Sequence, residues 1–240
     1  MRYRLLILGL IISFSLTAGT YDIVNLTNND GLSNSSVNSI CQDSEGLLWF
    51  GTWDGLNAYN GREFKVHKPD PGNSQTISNN IIRDIVEAQK NILWIATDRG
   101  INRFDKSKKT FERFFVDADN QRISKENSFL IAKNSSNFIF AAIYEKGVHY
   151  FDDKTHQFIR LNAIRNFRIE KFFFDLDDNL WIYTKEKTLF KIVFKKGHFE
   201  TPQIKNIVKF QHLNNIEAVF YCSNNEIWMQ TSGERIYCYL

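Results

Sequence analysis

The stretch DSEGLLWFGTWDGLNAYNG, residues Asp43–Gly61, holds an apolar segment with a central tryptophan between two short polar turns. Asp, Ser, Gly and Asn favour tight turns because they tolerate positive φ or hydrogen-bond their own backbone. The segment LLWFGT is apolar at consecutive positions, as expected for a strand that is buried on both faces. This stretch therefore predicts a β-hairpin whose tryptophan-bearing strand lies between two neighbouring sheets.

The same pattern returns four more times along the chain. The aligned aromatic residues follow one another at steps of 45, 46, 41 and 47 residues, and they are Trp49, Trp94, Phe140, Trp181 and Trp228. Four short strands in a unit of about 40–50 residues are typical of a β-propeller blade. We therefore predict an all-β propeller of four-stranded blades, with about five blades at approximately residues 32–68, 77–116, 127–161, 168–203 and 215–240. We expect the five aligned aromatic side chains to form the structural core between blades.

The fifth unit ends at Leu240 after its third predicted strand. We therefore expect an incomplete last blade and favour a truncated propeller over a closed ring of five blades. Tyr21–Leu26 precedes the first unit and could supply the outer strand that the last blade lacks.

The first residues have the three-part pattern of a secretory signal peptide. Arg2 and Arg4 form a short basic region, Leu5–Leu16 is apolar, and small residues follow. This pattern predicts a signal peptide at residues 1–19, with the propeller at 20–240; an uncleaved membrane anchor is the alternative. No second apolar run of about 20 residues follows, so we expect no other membrane-spanning segment.

Composition argues against several classes of function. The formal net charge is +3, and it falls to about +1 without the two arginines of the leader, which is too little for nucleic-acid binding. The cysteines number three, an odd count, and we expect Cys41, Cys222 and Cys238 to be unpaired and mostly buried. The five histidines are scattered, so we predict no metal site, no cofactor and no catalytic residue.

The pattern D-x-x-G-x-L-W-x-G-T-x-x-G-L-N-x-Y in residues 43–59 resembles the two-component regulator propeller repeats. Residues 31–52 and 69–87 also look like that family. The resemblance is weaker in later units, where Ala96, Ala142, Tyr183 and Gln230 replace the glycine of the W-x-G-T segment.

This resemblance implies the periplasmic sensor region of a hybrid two-component histidine kinase of Bacteroidetes. Such a full-length protein would lie in the inner membrane, sense a glycan-derived oligosaccharide and signal to a kinase that is absent from this sequence. The chain itself would then not be an enzyme, and it would reach the membrane only through C-terminal parts that the sequence does not contain.

Propeller ligands usually bind near the axis, on the loops that join second and third strands. Trp53 is the one tryptophan outside the repeat position, and Asp54 follows it. An exposed indole can stack on a sugar ring while a carboxylate accepts hydrogen bonds from hydroxyl groups. We therefore predict ligand-binding residues at Trp53, Asp54, Arg99 and Tyr144. Packing against the adjacent blade, or contact with a second propeller or protomer, are alternative roles.

Two other classes of function remain open at this point. A secreted propeller can be a glycan-active enzyme, but glycosidases need two facing carboxylates. CQDSEGLLW (Cys41–Trp49) comes near a sialidase-type motif but has one residue too many and lacks its serine. Acidic residues such as Asp84 are expected mostly in turns or strand flanks. A protein-interaction module is the other alternative, because radial repeats present broad loop surfaces.

Overall fold

The computed structural model describes residues 23–114, 129–143, 146–162, 164, 167–195, 198–209, 216–221, 226–232 and 235–239. Within these ranges, 19 strands form five antiparallel sheets, and a short 3-10 turn at Asn28–Asp30 precedes them. The predicted all-β propeller of four-stranded blades, with an incomplete fifth, is therefore confirmed. The predicted signal peptide at residues 1–19 lies outside the described residues, and no described helix is long and apolar enough to cross a membrane.

Four sheets contain four strands and the fifth contains three. In chain order, blade 1 has β1 (Val37–Gln42), β2 (Leu48–Thr52), β3 (Gly55–Tyr59) and β4 (Phe64–His67); blade 2 has β5 (Ile82–Gln89), β6 (Ile92–Thr97), β7 (Gly100–Asp105) and β8 (Thr110–Phe114); blade 3 has β9 (Phe129–Lys133), β10 (Ile139–Ile143), β11 (Gly147–Asp152) and β12 (Gln157–Arg160); blade 4 has β13 (Ile169–Phe174), β14 (Leu180–Thr184), β15 (Thr188–Lys195) and β16 (His198–Lys209); blade 5 has β17 (Ile216–Tyr221), β18 (Ile227–Thr231) and β19 (Ile236–Tyr239).

The first strand is the innermost one in blades 1 to 4. In blades 1 to 4, these strands contact one another in sequence, β1 with β5, β5 with β9 and β9 with β13. The fourth strands lie at the opposite edges of their sheets, and β4 and β12 are partly exposed along their whole length. Blades 1 to 4 are therefore arranged radially about a common axis, as in a propeller.

Buried side chains form four clusters, each between two consecutive blades. Strand β6 shows how one strand serves two clusters, because successive side chains of a strand point to opposite faces. Leu93 and Ile95 pack towards blade 1, whereas Trp94 and Ala96 pack towards blade 3. None of the buried clusters in the described part of the chain joins blade 5 to blade 1.

The aligned aromatic residues pack against the following blade. The ring centroids of Trp49 and Phe104 are 5.8 Å apart, and those of Trp94 and Phe151 are 4.7 Å apart. Phe140 and Trp181 are likewise buried. Trp228 differs from the other four because it is only half-buried, in the sheet that has three strands.

A buried carboxylate fixes the hairpin that the motif D-x-x-G-x-L-W encodes. Asp43 Oδ1 accepts backbone hydrogen bonds from Glu45 and Leu47, and its Oδ2 accepts one from Trp49 Nε1 at 2.8 Å. Lys106 of blade 2 donates to the same Oδ2 at 2.6 Å. Burial alone would raise the pKa of Asp43, but the bonds from Lys106 and Trp49 outweigh it and hold the pKa below its ordinary value.

The same arrangement returns in blade 4. Asp175 Oδ1 accepts backbone hydrogen bonds from Asp177 and Asn179, and Trp181 Nε1 donates to Asp175 Oδ2 at 2.9 Å. The tryptophan of the repeat is therefore both a packing residue and a donor that needs the turn carboxylate. This explains in physical terms why the acid and the tryptophan occur together at a fixed spacing of six residues.

Equivalent positions on the inner strands differ in exposure between blade 1 and the later blades. Ile40, Ile85 and Ile131 are equivalent because each pairs with the residue that follows the repeat aromatic on the second strand. Ile85 and Ile131 are 4% and 2% exposed because the preceding blade covers them, whereas Ile40 is 62% exposed. The face of blade 1 that carries Ile40 is therefore apolar, and no described residue covers Ile40 as the preceding blade covers Ile85 and Ile131.

Two expectations from the sequence are wrong where the structure describes the residues. Ile23–Leu26 forms no strand, and Ile23 and Val24 are 94% and 72% exposed rather than packed against a sheet. Cys238 is exposed rather than buried, because it lies on the edge strand β19. Tyr21 and Cys222 lie outside the described residues, and Cys41 is partly buried.

Candidate functional site

Two polar networks hold the loops that join second and third strands in blades 1 and 2. In blade 1, the hydroxyl groups of Ser33 and Thr52 are 2.9 Å apart, and Asn57 Nδ2 donates to Ser33 Oγ at 2.8 Å. In blade 2, Ser78, Thr97 and Asn102 repeat this network. Since all of these groups are buried or partly buried, the loops that follow Thr52 and Thr97 are fixed to their blades.

Trp53 lies on the first of these loops with its side chain held in place. It is 48% exposed, and its Nε1 donates to Asn38 Oδ1 at 3.1 Å. Asn38 in turn donates to the carbonyl oxygen of Ile82 in blade 2 at 2.7 Å. The indole is therefore exposed without being free to rotate, which lowers the entropy cost of stacking a ligand on it.

Arg83 of blade 2 reaches over the Trp53 ring. Its guanidinium carbon is 5.3 Å from the ring centroid, a distance at which a cation–π contact is favourable. The same guanidinium makes a two-point ion pair with Asp98, with Nη2 donating to Oδ2 at 3.1 Å and Nε donating to Oδ1. We call Asn38, Trp53, Arg83 and Asp98 the Trp53 cluster.

Asn38 and Arg83 reach the cluster because each occupies a β-bulge of an inner strand. The register shifts between Val37 and Ser39 and again between Ile82 and Asp84, which leaves Asn38 and Arg83 without a cross-strand partner. A bulge turns the extra side chain away from the ordinary alternation of the strand. The repeat thus places two polar side chains at the same end of the inner strands.

The structure describes three of the four residues that were predicted to bind ligand. Asp54 is next to Trp53, but Lys68 donates to its Oδ2 at 2.6 Å and Asn80 to its Oδ1 at 3.3 Å, and these bonds lower its pKa. Arg99 follows Asp98 and has an exposed side chain, while its backbone N–H donates to Thr97 Oγ1. Tyr144 lies outside the described residues. Ligand binding by all four remains a prediction.

Sequence analysis missed the contributions of Asn38 and Arg83. A usable signal was present, since Arg83 and Asp98 are opposite charges on either side of one predicted hairpin. Blade 4 has a different ion pair in the same region, in which Arg168 Nε donates to Glu186 at 2.7 Å, whereas the positions equivalent to Arg83 and Asp98 hold Glu170 and Lys185. The pairing could be recognised only by aligning the blades and knowing that Arg83 occupies a bulge of the inner strand.

The acidic residues were expected mostly in turns or strand flanks, but Asp84 lies within β5. Its Oδ1 accepts hydrogen bonds from Ser39 Oγ of blade 1 at 3.1 Å and from the Ile85 backbone. Burial raises the pKa of Asp84 to about 6, although these hydrogen bonds act in the opposite direction. The carboxyl group therefore links two blades and titrates well above the ordinary range.

Asp84 should make stability fall as pH rises from about 4 to about 6. In this window the folded chain keeps a proton that the unfolded chain has released, so the stabilisation is complete below pH 4 and lost above pH 6. The shift corresponds to about 3 kcal/mol at most, and we expect about 1–3 kcal/mol because Asp84 retains some accessible surface.

Urea unfolding at several pH values, for wild type and Asp84→Asn, measures this effect. The amide cannot titrate, so the difference between the two proteins isolates Asp84 from carboxylates such as Asp43, whose lowered pKa acts in the opposite direction. Parallel pH profiles for the two proteins would contradict the assignment.

The chain is similar in sequence to a propeller family and to a histidine kinase. Residues 31–54, which include Trp53 and Asp54, match the family model described as two component regulator propeller. A histidine kinase of Formosa agariphila is 43% identical over 65 residues, which are 27% of this chain and 5% of that protein. The chain therefore spans a small part of the length of this curated relative.

Solved structures with the same fold include signalling and other proteins. The extracellular domain of a one component system from B. thetaiotaomicron has a TM-score of 0.67 at 21% identity, over 86% of this chain and 29% of that one. That of a hybrid two component system from the same organism has a TM-score of 0.54 at 21% identity, over 90% and 41%. Virginiamycin B lyase from Staphylococcus aureus has a TM-score of 0.62 at 13% identity, over 90% and 72%. At these identities the likeness shows the propeller fold.

Within the described residues, no group of three or more His, Cys, Asp or Glu side chains is placed to hold a metal ion. The Trp53 cluster presents an aromatic face, a guanidinium and a carboxylate together. Such a set suits a ligand that combines an apolar face with hydroxyl groups.

Proposed function

We propose that this chain, whose residues 31–54 carry a two-component regulator propeller repeat, is a periplasmic ligand-sensing propeller of a hybrid two-component signalling protein. It detects a glycan-derived oligosaccharide at the Trp53 cluster and signals to a kinase outside this sequence. The chain itself carries out no reaction, and the full-length protein is anchored in the inner membrane. The observation that carries the proposal is the exposed but fixed indole of Trp53 between two blades.

The Trp53 cluster supplies the contacts that a sugar ring needs. Arg83 occupies one side of the indole, and the 48% exposure of Trp53 leaves ring surface for a sugar to stack on. The Arg83–Asp98 pair offers a donor and an acceptor to neighbouring hydroxyl groups, and it is only partly buried. Arg99, with an exposed side chain, extends the donor surface along the same loop.

Signalling would use the position of the cluster across two blades. Asn38 and Trp53 belong to blade 1, whereas Arg83 and Asp98 belong to blade 2, and Asn38 bonds the Ile82 carbonyl across the boundary. A ligand that bridges both blades favours one arrangement of them over another. A ligand that has different affinities for two states shifts the equilibrium between them. Here the two states would be two arrangements of this propeller relative to a second propeller or a second protomer. No nucleic acid takes part in this mechanism.

Replacing Trp53 with alanine should abolish most oligosaccharide binding. We expect affinity to fall at least about tenfold, because stacking on the indole and the position of Arg83 are lost together. The measurement is a binding screen of the chain against plant- and host-derived oligosaccharides, followed by isothermal titration of the best binder with wild type and Trp53→Ala.

The matched control is Phe138→Ala, an exposed aromatic residue at the opposite end of the blades. It should bind the oligosaccharide as wild type does, and both variants should keep the wild-type far-ultraviolet circular dichroism. Equal affinity of wild type and Trp53→Ala would remove the Trp53 cluster as the binding site.

A further inference from the structure

A cleft opens between blades 3 and 4 at the end of the molecule away from the Trp53 cluster. Its walls are the turn between β9 and β10, the turn between β13 and β14, and the end of the β15–β16 hairpin. The cleft has a volume of about 480 Å³, which is within the usual range for sites of small molecules. We call it the Phe138 cleft.

Three phenylalanine rings form the floor of the Phe138 cleft. The centroid of Phe199 is 4.8 Å from that of Phe138 and 5.5 Å from that of Phe194, with interplanar angles of 63° and 78°. The rings thus present faces and edges in turn rather than one flat stack. Phe138 is 39% exposed, and Leu176 beside it is 70% exposed, so apolar surface is open to solvent at this point.

Among the described residues, two carboxylates and one cation line the cleft. Ser135 donates to both oxygens of Asp178, at 2.8 Å from its backbone nitrogen and 2.6 Å from its hydroxyl group. Asp177 is exposed, and its carboxylate has no partner among the described residues. Lys195 is the one described cation that lines the cleft, and its exposed side chain can turn away into solvent.

Aromatic faces beside carboxylates are the chemistry that recognises an organic ammonium group. Ring faces attract a cation through their quadrupole, and this attraction exceeds hydrophobic contact alone when water is excluded. A neutral apolar ligand would gain nothing from Asp177, and an anion would be repelled by both acidic residues.

We propose that the Phe138 cleft binds an alkylammonium compound, with the cationic head against Phe138 and Phe199 and under the carboxylate of Asp177. This site is separate from the Trp53 cluster and does not depend on the proposed function. It gives the propeller a second ligand of a different chemical class on its opposite end.

Isothermal titration of the chain with choline tests this site. The matched probe is the uncharged isostere of choline, in which a tert-butyl group replaces the trimethylammonium group. Choline should bind at least about tenfold more tightly than the isostere, since only the charge differs between them. Absence of choline binding, or equal affinity for the two probes, would overturn the proposal.

Three variants locate the binding. Phe138→Ala and Asp177→Asn should each weaken choline binding at least about threefold, and Lys195→Ala should strengthen it, because it removes a like charge from the rim. Trp53→Ala serves as the control with unchanged choline affinity. Wild-type affinity in both Phe138→Ala and Asp177→Asn would place the choline elsewhere and contradict the assignment. All of these side chains are exposed enough for the variants to fold.

Discussion

Replacing Ile85 with aspartate should lower the free energy of unfolding by about 4 kcal/mol, whereas the same change at Ile40 should lower it by about 1 kcal/mol or less. The two residues occupy equivalent positions of inner strands, but Ile85 is 4% exposed and Ile40 is 62% exposed. A carboxylate at Ile85 would be buried between blades 1 and 2 without a partner. At Ile40 it would face solvent and lose only strand propensity.

Urea unfolding followed by tryptophan fluorescence gives both values under one set of conditions. Circular dichroism of each variant before unfolding serves as the control for the native fold. Equal destabilisation by the two substitutions would mean that the face of blade 1 is covered as the later faces are, and would contradict the packing described for Ile40.

Replacing Asp43 with alanine should lower the free energy of unfolding by about 3–5 kcal/mol, as expected when one partner of a buried ion pair is removed. Asp43 is 4% exposed, and the change leaves Trp49 Nε1 buried without an acceptor. It also takes from Lys106, whose side chain is 9% exposed, the closest of its three carboxylate partners. The turn and the contact between blades 1 and 2 would weaken together.

The matched control for Asp43 is Asp152→Ala in blade 3. Asp152 also caps a turn, accepting hydrogen bonds from the backbones of Lys154 and Thr155 and from the Thr155 hydroxyl group. It holds no buried ring nitrogen, so its loss should lower the free energy of unfolding much less than the loss of Asp43 does. Thermal unfolding of the two variants compares them, and a similar loss in both would show that Asp43 acts as a turn cap alone.

The architecture could be predicted because it depends on a pattern that repeats within the sequence. Each blade needs one strand that is buried on both faces, and a tryptophan or phenylalanine at its centre marks that strand. The acid six residues before Trp49 could also be read as part of a turn. Its second role, as acceptor for the indole nitrogen, becomes visible only when the hairpin is closed.

The candidate site was only partly predictable because its members come from different blades. Trp53 and Asp54 stand out in the sequence as an aromatic residue and an acid on one loop. Arg83 reaches Trp53 through a β-bulge, and bulges are set by register rather than by residue type. Trp228 fits the repeat as well as Trp94 does, yet it is half-buried, since burial depends on the neighbouring blade and not on the residue itself.

Hydrogen–deuterium exchange of the chain with and without its best oligosaccharide tests the central claim most directly. If the Trp53 cluster is the sensor site, backbone amides in residues 33–54 and 80–99 should exchange more slowly when the ligand is bound, and this protection should be absent in Trp53→Ala. Protection confined to the opposite end, at residues 134–138 and 176–179, would contradict the account.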